Sequence, residues 1–275
     1  MDIDTHQHFW QYNPAEYAWI SAAMPGLKRD LLPPDLKPLL DANSIGGTVA
    51  VQARQSLAET EWLLALADAD PFILGVVGWV DLQSPKVGEQ LRRFAGRPKL
   101  VGVRHVVHDE PDDQFMLRPA FLRGLEALAE FDLAYDLLLF PKHLPVAAQV
   151  VRMFPRQRFV LDHIAKPFIK AGTRSPWDTD LRALARFDNV SCKVSGLVNE
   201  AAWCQWTPDD FKPYLDVVFD CFGTSRLMFG SDWPVCTLSA HYHEVVGLVR
   251  DYLQDLPADV GARVMGSNAV AAYRL

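Results

Sequence analysis

The chain has 275 residues, of which 49% are hydrophobic and 22% are charged, and its formal net charge is −7. These values are typical of a globular protein with a sizeable core. The acidic balance excludes the basic surface expected of a nucleic-acid-binding protein. No apolar stretch approaches the ~20 residues needed to cross a bilayer. The sequence therefore predicts neither a nucleic-acid nor a membrane partner, and it leaves the oligomeric state open.

The N-terminus and the cysteines indicate the cellular compartment of the protein. Charge begins at Asp2, so no secretory signal is expected. The four cysteines show no CxxC spacing, which favours free thiols in a reducing compartment over a disulfide framework. We therefore expect a cytoplasmic protein.

Short apolar runs alternate with amphipathic segments along the whole chain. The runs that we predict as strands are 3–8, 47–53, 72–80, 100–105, 133–139, 158–163, 190–196 and 226–230. The predicted helices that follow them are 33–43, 60–69, 84–96, 118–131, 142–154, 177–187, 208–222 and 241–253, with a last helix at 258–273. Eight βα units in one pass predict a (β/α)8 TIM barrel, a single domain over residues 1–275. An open doubly wound sheet is the alternative, but it would normally carry a glycine-rich loop after its first strand.

Two connections have features of their own. Residues 9–32 are aromatic and irregular, and we expect them to form a long loop over the mouth of the barrel. Ser56-Leu-Ala-Glu59 is typical of a capping box at the start of a helix.

Reactive side chains stand near the ends of the predicted strands. They are His6, His8, Gln52, Arg54, Trp79, Asp81, Arg104, His105, Asp136, His163, Lys193 and Asp232. Barrel enzymes gather their catalytic groups at the carboxyl ends of the strands, so the set as a whole indicates an active site. His6 and His8 are two residues apart on a strand and point to one face. In a closed barrel the first and last strands are neighbours, so Asp232 is expected to face both histidines.

Each of these residues also has a structural interpretation. His163 could be an ordinary hydrogen-bonded histidine, and Arg104 and Lys193 could be strand-end charges that reach solvent. Asp136 is more simply explained by capping the next helix or by pairing with one of those cations.

The loops carry further candidates that the sequence leaves undecided. His105 and His108 either contact substrate or belong to a mobile loop. Trp203 and Trp206 either pack in a lid or cover a sugar ring, and His241 and His243 are interpreted as structural.

Five motifs resemble the amidohydrolase superfamily of the amidohydrolase 2 type. They are His6-Gln7-His8-Phe9-Trp10, Leu161-Asp162-His163-Ile164-Ala165-Lys166-Pro167, Lys193-Val194-Ser195-Gly196, Phe229-Gly230-Ser231-Asp232-Trp233-Pro234 and the ending from Gly266 to Leu275. The sequence is most similar to the lactonase branch that opens L-fuconolactone, L-rhamnonolactone and related lactones. The resemblance implies His6 and His8 as metal ligands, joined by Asp232, which is also the general base. It further implies that His163 contacts the metal or the substrate.

The sequence departs from the metal-dependent members of that superfamily at two strands. They usually add a lysine or glutamate on strand four and a histidine on strand five, where this chain has Arg104-His105 and Asp136. We therefore expect at most one divalent ion, zinc foremost, since zinc tolerates three protein ligands plus water. Because some lactonases of this branch are thought to work without metal, metal-free hydrolysis stays open.

The resulting hypothesis is an enzyme that hydrolyses a sugar lactone to its open-chain acid, with Asp232 and His163 as the catalytic residues. The residues expected to contact the substrate are Gln52, Arg104, His105, Lys193, Asn199 and Trp203. A metal-dependent decarboxylase of aromatic acids and a non-catalytic sugar-binding barrel are the alternatives. Whether the lactone is neutral or carboxylated is left open.

Overall fold

Eight parallel strands form one sheet in the computed structural model, which describes residues 1–275. The strands are β1 (Asp2–Gln7), β2 (Ile45–Val51), β3 (Ile73–Gly78), β4 (Leu100–His105), β5 (Ala134–Leu137), β6 (Phe159–Leu161), β7 (Val190–Val194) and β8 (Leu227–Phe229). The helices are α1 (Pro33–Ala42), α2 (Leu57–Ala69), α3 (Val87–Phe94), α4 (Pro119–Ala129), α5 (Leu144–Met153), α6 (Trp177–Ala185), α7 (Leu197–Glu200), α8 (Pro208–Phe222), α9 (Tyr242–Gln254), α10 (Ala258–Ala262) and α11 (Asn268–Tyr273). The strands are ordered β1 to β8 as in the sequence.

Hydrogen bonds between the two ends of the chain bring β1 beside β8. The hydroxyl of Thr5 donates to the carbonyl of Phe229 at 2.6 Å, and the amide of Asp232 donates to the carbonyl of His6 at 2.8 Å. The amide of His8 donates to the carbonyl of Trp233 at 2.7 Å. The predicted (β/α)8 barrel is thereby confirmed, and the open doubly wound sheet is excluded.

Apolar side chains pack in two separate clusters. A cluster of 71 buried residues fills the space between the sheet and the helices. A cluster of eight, with members from β2 to β6 and from β8, fills one end of the barrel interior, where Tyr273 of α11 joins it. Along the strands, this apolar layer is followed by buried charged side chains and then by the residues of the mouth. The fold thus places polar groups at the carboxyl ends of the strands, on an apolar base.

The structure differs from the sequence prediction at three elements. The last helix is not continuous, because a π-helical turn at Arg263–Ser267 separates α10 from α11. β6 ends early, at Leu161, because the chain turns at Asp162 and continues in a left-handed conformation from His163. The capping box is wrong: the Ser56 hydroxyl accepts from the Ala58 amide, while Glu59 is buried and turns away.

Glu59 holds two loops of the mouth together instead. Its carboxylate accepts hydrogen bonds from the amides of Ala53 and Arg54, at 3.0 and 2.9 Å, and from the hydroxyl of Tyr17 at 3.1 Å. Tyr17 belongs to the long loop between β1 and α1. None of the helices is both long enough and apolar enough to span a membrane.

Candidate active site

Three imidazoles converge on one carboxylate oxygen at the mouth of the barrel. The Oδ1 atom of Asp232 lies 3.4 Å from Nε2 of His8, 3.8 Å from Nε2 of His6 and 3.9 Å from Nε2 of His163. All four side chains are buried. The structure therefore brings the two catalytic candidates together with His6 of β1 and with His8, which directly follows that strand.

The backbone of Asp232 is held in an unusual conformation by a buried clamp. Asp232 has φ = 60°, in the left-handed region that is uncommon for a residue other than glycine. The carboxylate of Asp4 accepts from the amide and hydroxyl of the preceding Ser231 at 2.8 and 2.6 Å, and from the hydroxyl of Tyr242 at 3.0 Å. The same carboxylate accepts from the amide of His6 at 3.2 Å. One buried aspartate thus fixes the relative positions of Asp232 and His6.

His163 stands on a strained turn. Four consecutive residues, His163 to Lys166, have φ between 47° and 63°. Such backbone costs roughly 1–2 kcal/mol per residue when the side chain is not glycine. The indole of Trp177 donates to the carbonyl of Ile164 at 2.7 Å and helps to hold the turn. Gly196 lies against the imidazole: a Cβ added there would be 2.6 Å from Nδ1 of His163. Strain of this kind is typical of functional sites, where the surrounding structure enforces it.

Hydrogen bonds decide which nitrogens of the histidines face Asp232. Nδ1 of His8 lies 2.8 Å from the carbonyl of Val51, which only accepts, so Nδ1 carries the proton. Nδ1 of His163 lies 2.9 Å from the hydroxyl of Ser195. In both rings Nε2 is the nitrogen that points to the carboxylate.

The electrostatics of the site favour an ionised Asp232 and a neutral His163. Burial lowers the pKa of His163 well below its ordinary value, although Asp232 opposes the shift. Burial alone would raise the pKa of Asp232. The neighbouring basic groups His163, His8 and Lys166 together outweigh burial, so the pKa of Asp232 lies below its usual value. An ionised carboxylate in this position can accept a proton at neutral pH.

A layer of buried ion pairs lies beneath the three histidines. Nζ of Lys193 is 2.6 Å from Oδ2 of Asp136, 3.0 Å from Oδ1 of Asp162 and 3.2 Å from Nδ1 of His6. Nη1 of Arg104 is 3.0 Å from Oδ2 of Asp162 and 3.3 Å from Nε2 of His6. Lys193 was expected to contact the substrate, but it is fully buried and its ammonium group is surrounded by these partners. The layer holds His6 from below, and only Arg104 also reaches the cavity above.

A cavity of about 560 Å³ opens above these residues. Its polar lining residues are His8, Glu16, Arg54, Gln55, Arg104, His108, Asp109, Glu110, His163, Lys166 and Asp232. Trp19, Leu138 and Phe140 are among the apolar ones. Arg54 was one of the strand-end candidates of the sequence, and it does line the cavity. Lys166 was not, although it follows β6 and its position after a strand was a usable signal. Nothing in the irregular loop distinguished Glu16 or Trp19.

Besides Lys193, four residues that were expected to contact the substrate do not line the cavity. Gln52 is fully buried, and its carbonyl accepts from Arg104. Nε2 of His105 pairs with Glu110 at 2.7 Å, so this histidine supports the wall from behind. Asn199 donates to the carbonyl of Val235, and the indole of Trp203 donates to the carbonyl of Asn199.

The donor set fits one metal ion. Two triplets of candidate ligands have their ligand atoms within 4.8 Å of one another: His6, His8 and Asp232, and His6, Asp162 and His163. Because Asp162 already pairs with two cations, the first triplet is the better site. Once Nδ1 of His8 has donated to Val51, its Nε2 faces the Asp232 carboxylate as a second acceptor. A cation between the two would satisfy both, and ligating histidines commonly donate their other nitrogen to a carbonyl in this way.

The match to known proteins agrees with this geometry. The model of the amidohydrolase family matches residues 3–275, and the chain belongs to that family. An L-fucono-1,5-lactonase of Burkholderia multivorans is 41% identical over 284 residues, covering 99% of this chain and 96% of the relative. An L-fucono-1,5-lactonase of Burkholderia ambifaria is 38% identical over 279 residues, covering 99% and 95%. A crystal structure of a B. multivorans amidohydrolase with bound zinc superposes with a TM-score of 0.96 at 41% identity, over 100% of this chain and 99% of that one.

Proposed function

We propose that this protein hydrolyses an aldonolactone, L-fuconolactone or L-rhamnonolactone foremost, to the open-chain sugar acid. The observation that carries the proposal is the carboxylate of Asp232, surrounded by three imidazoles and open to a cavity. The full-length relatives named as L-fucono-1,5-lactonases, at 38–41% identity, favour sugar-lactone hydrolysis over decarboxylation.

The reaction needs a base, a site for negative charge and an acid. Asp232 accepts a proton from water as the water oxygen bonds to the lactone carbonyl carbon. Negative charge develops on the carbonyl oxygen, and the guanidinium of Arg104 lies at the same floor to stabilise it. The bond from that carbon to the ring oxygen then breaks. Asp232 returns its proton to the departing oxygen, which leaves the hydroxy acid and a regenerated carboxylate.

We further propose that His6, His8 and Asp232 hold one divalent ion, with zinc the best fit to two nitrogens and an oxygen. A bound zinc ion would act as a Lewis acid toward the carbonyl oxygen. We expect no second ion beside it, because Asp162, the carboxylate of the other triplet, already pairs with Arg104 and Lys193.

The substrate preference follows from the lining of the cavity. Its many hydrogen-bonding groups suit a ring that carries several hydroxyls, with Trp19 and Phe140 available for the apolar faces. A site that pairs with hydroxyls rejects analogues that lack them, because its own polar groups are then left unpaired. We therefore expect little activity on unsubstituted butyrolactone.

The test is a panel of five- and six-carbon aldonolactones followed with a pH indicator, using the wild type and Asp232→Asn. Asparagine keeps the shape but removes the proton acceptor, so kcat should fall by at least ~10². The melting temperature, measured on the same preparation, should change little.

Four outcomes would contradict this proposal. Equal rates on hydroxylated lactones and butyrolactone would refute the substrate class. Wild-type kcat in Asp232→Asn would remove this residue from the mechanism. Carbon dioxide release from hydroxybenzoates, or thermal stabilisation by sugar lactones without turnover, would support the decarboxylase or the sugar-binding barrel instead.

A further inference from the structure

The cavity contains three permanent cations that could receive a carboxylate, and each already has an acidic partner. The cations are Arg54, Arg104 and Lys166. Arg104 is committed to the layer below, since its Nη1 lies 3.0 Å from Oδ2 of the buried Asp162. Any recognition of a charged substituent on the lactone would therefore fall to Arg54 and Lys166.

Arg54 is neutralised by the long loop that covers the mouth. Its Nη1 lies 2.7 Å from Oε1 of Glu16, and both residues line the cavity. The guanidinium also lies over the ring of Tyr17, at 5.5 Å from the centroid. Glu59 accepts hydrogen bonds from the Arg54 amide and from the hydroxyl of Tyr17, the residue after Glu16. The backbone is therefore held in place next to both members of the Arg54–Glu16 ion pair.

Lys166 is neutralised from the opposite side of the mouth. Its Nζ lies 3.5 Å from Oε1 of Glu200 in α7, and both side chains are about four-fifths buried. Lys166 ends the left-handed turn that carries His163, so its backbone is constrained as well.

The balance of charge on the wall is not positive. Apart from Asp232 and the ion that it would hold, three acids, Glu16, Asp109 and Glu110, line the cavity against the three cations. A carboxylate that entered would have to displace a glutamate from its cation, or lose its hydration without gaining a partner. Either route is costly in a partly buried site. A neutral polyol meets no such penalty, because an ion pair still offers donors and acceptors to hydroxyls.

We propose that Glu16 and Glu200 are specificity-determining residues that neutralise Arg54 and Lys166 and so exclude carboxylated lactones from the site. This inference rests on the proposed lactonase function. It attributes the enzyme's preference for neutral lactones to the ion pairs Arg54–Glu16 and Lys166–Glu200. It is an instance of selection by repulsion of the wrong ligand, in addition to attraction of the right one.

The experiment compares L-fuconolactone with galactarolactone, in which a carboxylate replaces the C6 methyl group. We measure kcat/KM for both lactones, corrected for spontaneous hydrolysis, in the wild type, Glu16→Gln and Glu200→Gln. Each variant leaves a cation without its acid, so the selectivity for the neutral lactone should fall by at least ~10-fold. Glu61→Gln is the matched control, because Glu61 pairs with Arg97 at 2.8 Å and has nearly the same exposure as Glu16, but lies away from the cavity. Its selectivity should equal that of the wild type.

The outcomes separate this inference from the function on which it rests. If the wild type opens neither lactone nor any other of the panel, the lactonase proposal fails. If it opens both with equal kcat/KM, or if selectivity is unchanged in both folded variants, the two glutamates do not determine specificity. If Glu16→Gln raises KM for both lactones equally, Glu16 only orders the loop and the inference is overturned for that residue. Glu200→Gln then tests the opposite side of the mouth independently.

Discussion

Replacing Lys193 by methionine tests whether the buried charges support the site or bind substrate. The side chains of Lys193, Asp136 and Asp162 are all inaccessible to solvent. Methionine keeps most of the volume but leaves two carboxylates without their common cation. Removing one partner from such a buried pair typically costs ~3–5 kcal/mol.

That loss corresponds to a measurable shift in melting temperature. The entropy of unfolding is ~2.1 cal/mol/K per residue, so the total for a chain of 275 residues is about 0.6 kcal/mol/K. The melting temperature of Lys193→Met should therefore fall by about 5–9 °C. Lys166→Met is the control for stability, because that cation is one-fifth exposed and its nearest carboxylate oxygen lies 3.5 Å away.

The assay is differential scanning calorimetry together with steady-state kinetics on one preparation. A second change, Asp136→Asn in the Lys193→Met background, should recover part of the lost stability by removing one uncompensated charge. A variant that melts within ~1–2 °C of the wild type and shows only a raised KM would refute the reasoning, since it would make Lys193 a substrate contact after all.

Two further predictions concern pH and metal. Burial raises the pKa of Glu59 from 4.5 to about 7. Because the folded-state value exceeds the unfolded one, the wild type should lose stability relative to Glu59→Gln as the pH rises between these values, by an amount of order 3 kcal/mol. Urea unfolding at pH values below, within and above that window measures the difference, and parallel pH profiles for the two proteins would contradict it. Elemental analysis should find at most one divalent ion per chain, and less of it in His8→Ala. Two ions per chain would show the single-site proposal to be wrong, while full activity after thorough chelation would favour metal-free hydrolysis.

The sequence by itself determined the architecture and the centre of the site. Alternation of apolar runs with amphipathic segments has a period that only βα units satisfy, so eight repeats predict a barrel. His6 and His8 share a strand face by local geometry, and barrel closure alone places the residues after the last strand beside the first. The convergence of Asp232 with both histidines follows from these two facts without knowledge of any side-chain contact.

Tertiary structure decided how deep each polar residue lies. Lys193 and Arg104 are similar strand-end cations in sequence, yet one is fully buried among carboxylates and the other reaches the cavity. Depth depends on strand register and on where each strand ends, and β6 ends early because the chain enters a left-handed turn that no local pattern announced. The spacing of residues in the sequence does not show how deep a side chain lies along the barrel axis.

The partners of distant residues were equally invisible in the sequence. Ser56 and Glu59 have capping-box spacing, but burial of Glu59 against Tyr17 and the end of β2 gives the carboxylate a different set of donors. Arg54 meets Glu16 and Lys166 meets Glu200 only because loops from separate βα units fold over the same mouth. Local propensity determines the helices and strands and their order along the chain. The charge balance of the cavity arises from contacts between residues far apart in the chain, so only the folded structure determines it.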